Sequence, residues 1–223
     1  MDSIDSAVMA DLKRVKAGSY SQVSGDVLDH VLYDTLQFVN TTVRPTSSFF
    51  TTPVGGVYGG GTKTKNETNM TDPGKLPAGQ GFLIKEIGMA FPALEGIAVA
   101  NAIDIIQAFT NIIQNSIFEI RIAGREFDLQ FPGTMLMPAI MSRATATISG
   151  TLSTVLVGDY LASGWMKLAA PIILGELVSF SCVQITGSAT AAVTTLLNTA
   201  SSTLNAAGSV MQMKLRGTLV RSK

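Results

Sequence analysis

The sequence predicts a mainly β protein, an antiparallel sandwich of two sheets, and two observations support this fold class. Several stretches alternate apolar and polar side chains with a period of two, most clearly residues 116–131, SIFEIRIAGREFDLQF. Such alternation leaves each strand with one apolar face, which has to pack on a second layer. Helical stretches do not recur between the strands, as a doubly wound α/β fold would require.

Residues 116–131 predict a hairpin, because Ala123 and Gly124 separate two alternating halves. A two-residue turn would place Glu119 opposite Asp128, and these two carboxylates repel each other. A four-residue loop over 123–126 instead gives opposite charges and matched apolar partners. We therefore predict the pairs Phe118–Phe131, Ile120–Leu129, Ile122–Phe127 and Arg121–Asp128.

Residues 1–40 predict a helical N-terminal arm of two helices. The first carries an apolar stripe of Ile4, Val8, Leu12 and Val15. The second begins at Asp26 as an N-cap and carries Val27, Leu28, Val31, Leu32, Leu36 and Val39. Such an arm can pack on its own domain, on a neighbouring subunit or on a membrane, although three aspartates on the second helix weaken the membrane option.

Residues 41–223 predict the sandwich domain, with about eight strands. One helix is predicted at 100–114, between the second strand and the hairpin, because isoleucines recur there at spacings of three and four. Extended loops are expected at 55–79 and at 187–209, and the second of these fits either a helix of small residues or a packed loop. Besides the hairpin, strands are predicted at 43–54, 82–91, 165–174, 177–185 and 210–220, with a weaker pattern at 144–158.

The composition favours a protein that buries surface against copies of itself or a partner, with a large core as the alternative. Hydrophobic residues make up 46% of the chain and charged ones 14%, yet no apolar run is long enough to span a bilayer. Asp2, Asp5 and Asp11 at the start are not typical of a secretory signal. Lysine plus arginine equal aspartate plus glutamate at 16 each, so the composition supports neither sequence-specific nucleic-acid binding nor direct packing of a genome.

No catalytic, cofactor-binding or metal-ligating residue is predicted. The glycine-rich stretch GGGTKT at 59–64 lacks a lysine directly after the last glycine, and no helix follows, so a phosphate loop is not indicated. His30 is the only histidine and is expected on a helix. Cys182 is the only cysteine and is expected to be a small buried hydrophobe. We predict that the protein is not an enzyme.

Four segments resemble the jelly-roll capsid proteins of tailless icosahedral bacterial viruses. They are FFTTP at 49–53 with the glycine loop and the run to Phe82, the predicted helix at 100–114 with the hairpin at 118–131, PII at 171–173 with Phe180, and MKLRGTLVR at 213–221. Together they span about four-fifths of the chain, and their order along it carries the resemblance.

The resemblance implies an eight-stranded single jelly roll that assembles into a virion shell, with the particle forming in the host cytoplasm. It implies contacts with other copies of the chain and with other virion proteins. It also implies N-terminal helices that face the particle interior, an internal membrane or a neighbouring subunit. It implies no cofactor. The alternative is a β-sandwich on a particle surface that binds a receptor or a carbohydrate, which would expose aromatic side chains in its loops.

Overall fold

The computed structural model describes residues 7–19, 23–38, 46–58, 61–90, 112–123, 129–136, 142–147, 153–158, 165–187 and 209–222. These residues confirm a mainly β chain with two antiparallel sheets of four strands. In the first sheet the spatial order is β1 (Asp26–Phe38), β12 (Ser209–Arg221), β5 (Gln80–Ala90) and β10 (Trp165–Leu174). In the second sheet the order is β2 (Thr46–Phe49), β11 (Phe180–Thr186), β6 (Ser116–Ile122) and β7 (Leu129–Pro132).

Further short strands lie outside these two sheets, so the described chain has more than the eight strands predicted. They pair in twos, as β3 (Val57–Tyr58) with β4 (Gly61–Thr62) and β8 (Ser142–Thr147) with β9 (Ser153–Gly158). The second pair overlaps residues 144–158, where the alternation in the sequence is weak. A 3-10 helix, Gly133–Leu136, follows β7.

The main hydrophobic core lies between the two sheets and is built from alternate residues of their strands. The inward positions of β12 are Met211, Met213, Leu215 and Leu219, and those of β6 include Phe118 and Ile120. The stacked rings of Phe118 and Phe131 lie 5.8 Å apart in this core. Its fully buried aromatic side chains are Phe49, Phe50, Phe82 and Phe118.

The predicted hairpin register is confirmed where it can be read. Phe118 pairs with Phe131 and Ile120 with Leu129 in the β6–β7 ladder. The Ile122–Phe127 and Arg121–Asp128 pairs and most of the predicted loop lie outside the described residues.

A helix, α1 (Ala7–Lys16), covers part of the outer face of the first sheet. Its buried Val8, Leu12 and Val15 form a second apolar cluster with Leu83 of β5 and Val220 of β12. At Gly81 an added Cβ would lie 2.4 Å from Leu12 Cδ1, so the side chains of the helix pack closely over this glycine. The first predicted helix is thus confirmed over the residues described.

The second predicted helix is wrong, because residues 26–38 form strand β1. β1 pairs with β12 along its whole length, from Asp26 opposite Arg221 to Phe38 opposite Ser209. The apolar residues Leu28, Leu32 and Leu36 are spaced by four, which keeps them on one side of a helix and also on one side of a strand. Pairing with a thirteen-residue partner decides between the two. β1 therefore belongs to the sandwich and not to a helical arm.

Residues 55–79 form more than the expected polar surface loop. The described part carries the β3–β4 pair and buries four side chains, Lys63, Thr68, Met70 and Leu76. Of the predicted helix at 100–114, residues 112–114 are helical and the others lie outside the described residues. Nearly all of the loop at 187–209 also lies outside them.

Candidate functional site

The residues that were considered as catalytic or ligand-binding candidates in the sequence do not form a catalytic centre among the described residues. Within them, no three histidine, cysteine, aspartate or glutamate side chains form a group that could hold a metal ion. Among the described helices, none has the length and apolar character needed to cross a membrane. The functional candidates are therefore buried polar clusters and exposed surfaces.

His30 lies on β1, which corrects the predicted helical position. Its ring meets the edge of Phe82, with centroids 6.3 Å apart, and its Nε2 lies 3.4 Å from Asn69 Nδ2. Partial burial, and then the charge of Arg221, lower the pKa of His30 below its usual value. The lowered pKa favours the neutral imidazole, whose ring packs on Phe82 of the core.

Cys182 lies on the inner side of β11, fully buried in the main core. Burial, followed by the charge of Glu119, raises the pKa of its thiol far above the usual value. A thiol held protonated is a poor nucleophile. Cys182 therefore acts as the small hydrophobe that the sequence predicts.

Lys63, the lysine of the glycine-rich stretch, is engaged by Asp34 of β1. Its Nζ lies 2.6 Å from Asp34 Oδ1, and both side chains are almost completely buried. Because the ammonium is buried in an ion pair, it is not presented to a phosphate group. Gly59 and Gly60 lie outside the described residues.

Asp34 joins three chain segments at the edge of the first sheet that β1 forms. Its second oxygen accepts a hydrogen bond of 2.6 Å from the backbone N–H of Phe50, a residue with a positive φ of 67°. Lys63 and the side chain of Thr68 also bind this carboxylate. Burial raises the pKa of Asp34, and these partners offset only part of that effect. The cluster fixes residues 61–76 against β1.

Asn69 fastens the same loop along the free edge of β1. Its Oδ1 accepts from the backbone N–H of Tyr33 at 3.0 Å, and its Nδ2 donates to the carbonyl of Val31 at 2.7 Å. Asn69 is in a glycosylation sequon, but both polar atoms of its side chain bind backbone groups. The loop therefore covers part of a strand edge that would otherwise offer free hydrogen-bonding groups.

Glu119 is buried on the outer face of the second sheet, 5% exposed. Its Oε2 accepts from Arg121 at 2.6 and 3.0 Å, and its Oε1 accepts from Gln130 at 2.9 Å. The Gln130 bond joins β6 to β7, whereas the two Arg121 bonds lie within β6. The carboxylate is saturated with donors, which makes a structural role more suitable for it than acid–base chemistry.

A shallow cleft of about 360 Å³ opens beside this cluster. It is lined by Thr51, Pro73, Gly74, Arg121, Ser179, Phe180 and Ser181. The hydroxyl groups and the guanidinium would suit a polar ligand. Phe180 is only 4% exposed, however, so its ring is not available to stack on a sugar.

Large apolar side chains are exposed at several places on the surface. Val57 of the β3–β4 pair is 82% exposed and Leu177, in the turn after β10, is 59% exposed. The others among the described residues are Leu28, Val54, Ile117 and Met135. Exposed apolar side chains of this size are typical of surfaces that become buried on association when they lie close together.

Sequence reasoning misses the roles of Asp34 and Lys63. A helical reading of residues 26–38 places Asp34 on a polar face, and the glycine-rich motif tests Lys63 only as a phosphate ligand. The available signal is the alternation of His30, Leu32, Asp34 and Leu36, which is visible only if residues 26–38 are read with a period of two. Comparisons of the chain with protein-family models, with curated proteins and with solved structures found no match.

Proposed function

We propose that this chain is a single jelly roll that assembles with copies of itself into an icosahedral virion shell. The order in which its strands pair is the observation that supports the fold. Taken along the chain, the eight strands of the two sheets pair first with eighth, second with seventh, third with sixth and fourth with fifth. This nested order is that of one long hairpin rolled up so that alternate pairs fall in opposite sheets, the arrangement of a jelly roll.

Self-association is supported by what the surface exposes. The exposed apolar side chains Val54 and Val57 lie in one loop region, and Leu177 lies in another. A formal net charge of zero removes long-range repulsion between identical subunits. Permanent contacts between subunits commonly bury about 2,000 Å² or more and are rich in apolar side chains.

A charge placed on an exposed apolar residue tests this proposal. We expect Val57→Asp and Leu177→Asp each to raise the concentration needed for assembly at least about tenfold, since burying one such side chain contributes roughly 1.5–3 kcal/mol. Sedimentation velocity over a concentration series measures the effect. Ala17→Asp adds the same charge at an exposed position in the turn that follows α1, in neither of these apolar regions, and is the matched control.

Assembly that is equally strong in both variants would contradict the use of these surfaces. A wild-type chain that sediments as a monomer at every concentration would contradict the shell proposal itself. The alternative, carbohydrate or receptor binding through the Arg121 cleft, predicts that Arg121→Ala abolishes binding on a glycan array. Under this alternative, Arg121→Ala leaves the sedimentation of the chain unchanged.

A further inference from the structure

The outer face of the first sheet is divided into two halves. The helix α1 covers one half, over Leu83 and Val220. The other half carries two rows of side chains that cross all four strands. One row is Tyr33, Lys214, Gly88 and Trp165, and the other is Val31, Arg216, Glu86 and Lys167.

Alternation along the strands shows that both rows point away from the core. The inward neighbours in these strands, Leu32, Leu215, Ile87 and Met166, pack into the core between the sheets. Residues next to them in sequence therefore lie on the opposite face. We call the set Tyr33, Trp165, Lys167, Lys214 and Arg216 the cationic face.

The charge of the cationic face is positive although the chain as a whole is neutral. Its three cations are accompanied within the two rows by one carboxylate, Glu86, whose Oε2 lies 3.2 Å from an Arg216 nitrogen. The Arg216 side chain stays 54% exposed despite this contact. Asp29 lies on the same side of β1 but opposite Thr218, next to the half that α1 covers. A surface of this kind attracts an anionic partner.

The aromatic rings of the cationic face are placed by the backbone. The six-membered ring of Trp165 lies against Gly88, where an added Cβ would come within 2.8–3.1 Å of three ring atoms. The guanidinium carbon of Arg216 lies 6.0 Å from the centre of the same indole. Tyr33 lies three strands away, and its hydroxyl donates to the carbonyl of Lys65. Both rings are thus held in place without being fully buried.

We propose that the cationic face binds single-stranded nucleic acid without sequence preference. Partly exposed aromatic rings offer bases a stacking surface, and the lysine and arginine side chains between them offer partners for phosphates. Strand spacing separates Tyr33 from Trp165 by about 14 Å, which leaves room for the backbone of one strand to cross Lys214 and Arg216. The bases of a duplex are already stacked on each other, so a duplex gains only the charge contacts.

Fluorescence of the intact chain gives the most direct test, because Trp165 is the only tryptophan. We expect an oligothymidylate of about 20 nucleotides to quench this fluorescence, with a dissociation constant of about 1–100 μM at low salt. The logarithm of the affinity should fall with the logarithm of the salt concentration with a slope of about −2, since three cations meet phosphates. A duplex of equal length should bind more weakly and quench less.

Variants separate stacking from charge. We expect Trp165→Leu to weaken binding, followed by anisotropy of a labelled oligonucleotide, about 10- to 100-fold, and Trp165→Phe to restore most of it. Lys214→Gln with Arg216→Gln should reduce the salt slope to about −0.7. Lys16→Gln with Lys75→Gln removes the same charge from exposed positions outside the cationic face and should leave binding unchanged.

Several results would overturn the proposal. They are the absence of binding at low salt, equal binding by the cationic-face variants and the wild type, stronger binding of the duplex, and binding of anionic phosphatidylserine vesicles in place of the oligonucleotide. Circular dichroism establishes that each variant is folded. The oligonucleotide measurement is made on unassembled subunits, with sedimentation as a separate readout. A failure to bind the oligonucleotide therefore does not contradict the shell proposal, and a failure to assemble does not contradict nucleic-acid binding by the cationic face.

Discussion

Asp34 and Lys63 form a buried ion pair at the edge of the first sheet that β1 forms. Each lies almost fully out of solvent, and the pair is supported by a backbone donor from Phe50. Removing one member of such a pair leaves an uncompensated charge in a medium of low polarity, whereas removing both charges avoids that penalty.

We therefore expect Lys63→Met to destabilise the fold by about 3–5 kcal/mol at neutral pH. The double variant Asp34→Asn with Lys63→Met should recover part of this loss, because the asparagine side chain retains an acceptor for Phe50 and carries no charge. Urea denaturation of the single and double variants measures the coupling between the two residues. Purely additive effects would contradict an interacting pair.

The same pair predicts an unusual pH dependence. Burial raises the folded-state pKa of Asp34 above its ordinary value of 3.8, and Lys63→Met also removes the cation that opposes this rise. A carboxyl whose pKa is raised by folding binds its proton more tightly in the folded state, so acidification favours folding. We expect the stability deficit of Lys63→Met to shrink as the pH falls from 8 towards 4. A deficit that is constant over this range would argue against a buried charged Asp34.

Asp11 behaves in the opposite way. Its carboxylate accepts from Ser24 N–H at 3.0 Å, Ser24 Oγ at 2.8 Å, Gly25 N–H at 3.0 Å and Arg14 at 2.9 Å. Burial alone would raise its pKa, but these hydrogen bonds outweigh burial and lower the pKa below 3.8. The stabilisation is therefore present above about pH 4 and is lost as the pH falls through the lowered pKa.

Asp11→Asn should lower the melting temperature at pH 7 by about 3–6 °C, and by less once the pH falls through the lowered pKa and the wild-type carboxylate takes up its proton. Thermal melts of the two proteins across this pH range make the comparison. An equal difference above and below the lowered pKa would show that the hydrogen bonds do not depend on the charge.

At the scale of single elements, the sequence predicts strands well where the apolar residues fit the strand period of two and do not fit the helix period of 3.6. In β6 and β7 the alternation and the charge pairing exclude a helix and also select the register, and the pairs Phe118–Phe131 and Ile120–Leu129 confirm it. In β1 a spacing of four satisfies both periods, and the decision comes from β12, which lies almost 200 residues away. The sequence of residues 26–38 alone does not show that β12 will pair with them.

The helix α1 is held to the first sheet by apolar side chains. Leu12 is fully buried over Gly81 of β5. Among the described residues, the apolar surface that α1 packs on is the cluster around Leu83 and Val220. We expect Leu12→Ala to destabilise the fold by about 2–4 kcal/mol through the cavity it leaves. Lys16→Ala, at an exposed position of the same helix, should change the stability by less than about 0.5 kcal/mol.

Urea denaturation of both variants checks this assignment. If Leu12→Ala and Lys16→Ala cost the same, α1 does not pack on the sheet as described. The sequence predicts the apolar stripe of this helix, but not the surface that receives it, because Gly81, Leu83 and Val220 come from strands far along the chain.

At the scale of the whole molecule, the two-sheet class follows from alternation, whereas the pairing order does not. Each strand of the sandwich carries one apolar face that has to be covered. A second layer is therefore required, whichever strands pair with each other. Which strand meets which depends on contacts between the two ends of the chain, as in the β1–β12 ladder. The exposed Val57 and Leu177, on separate loops, then give the molecule apolar surface that its own fold leaves open.

Electron microscopy of the purified chain tests assembly most directly. At concentrations where sedimentation shows large species, we predict negatively stained, closed particles of uniform diameter, formed by the chain alone. Subunits that stay monomeric at every concentration, or that form only irregular aggregates, would contradict a shell built from this sandwich.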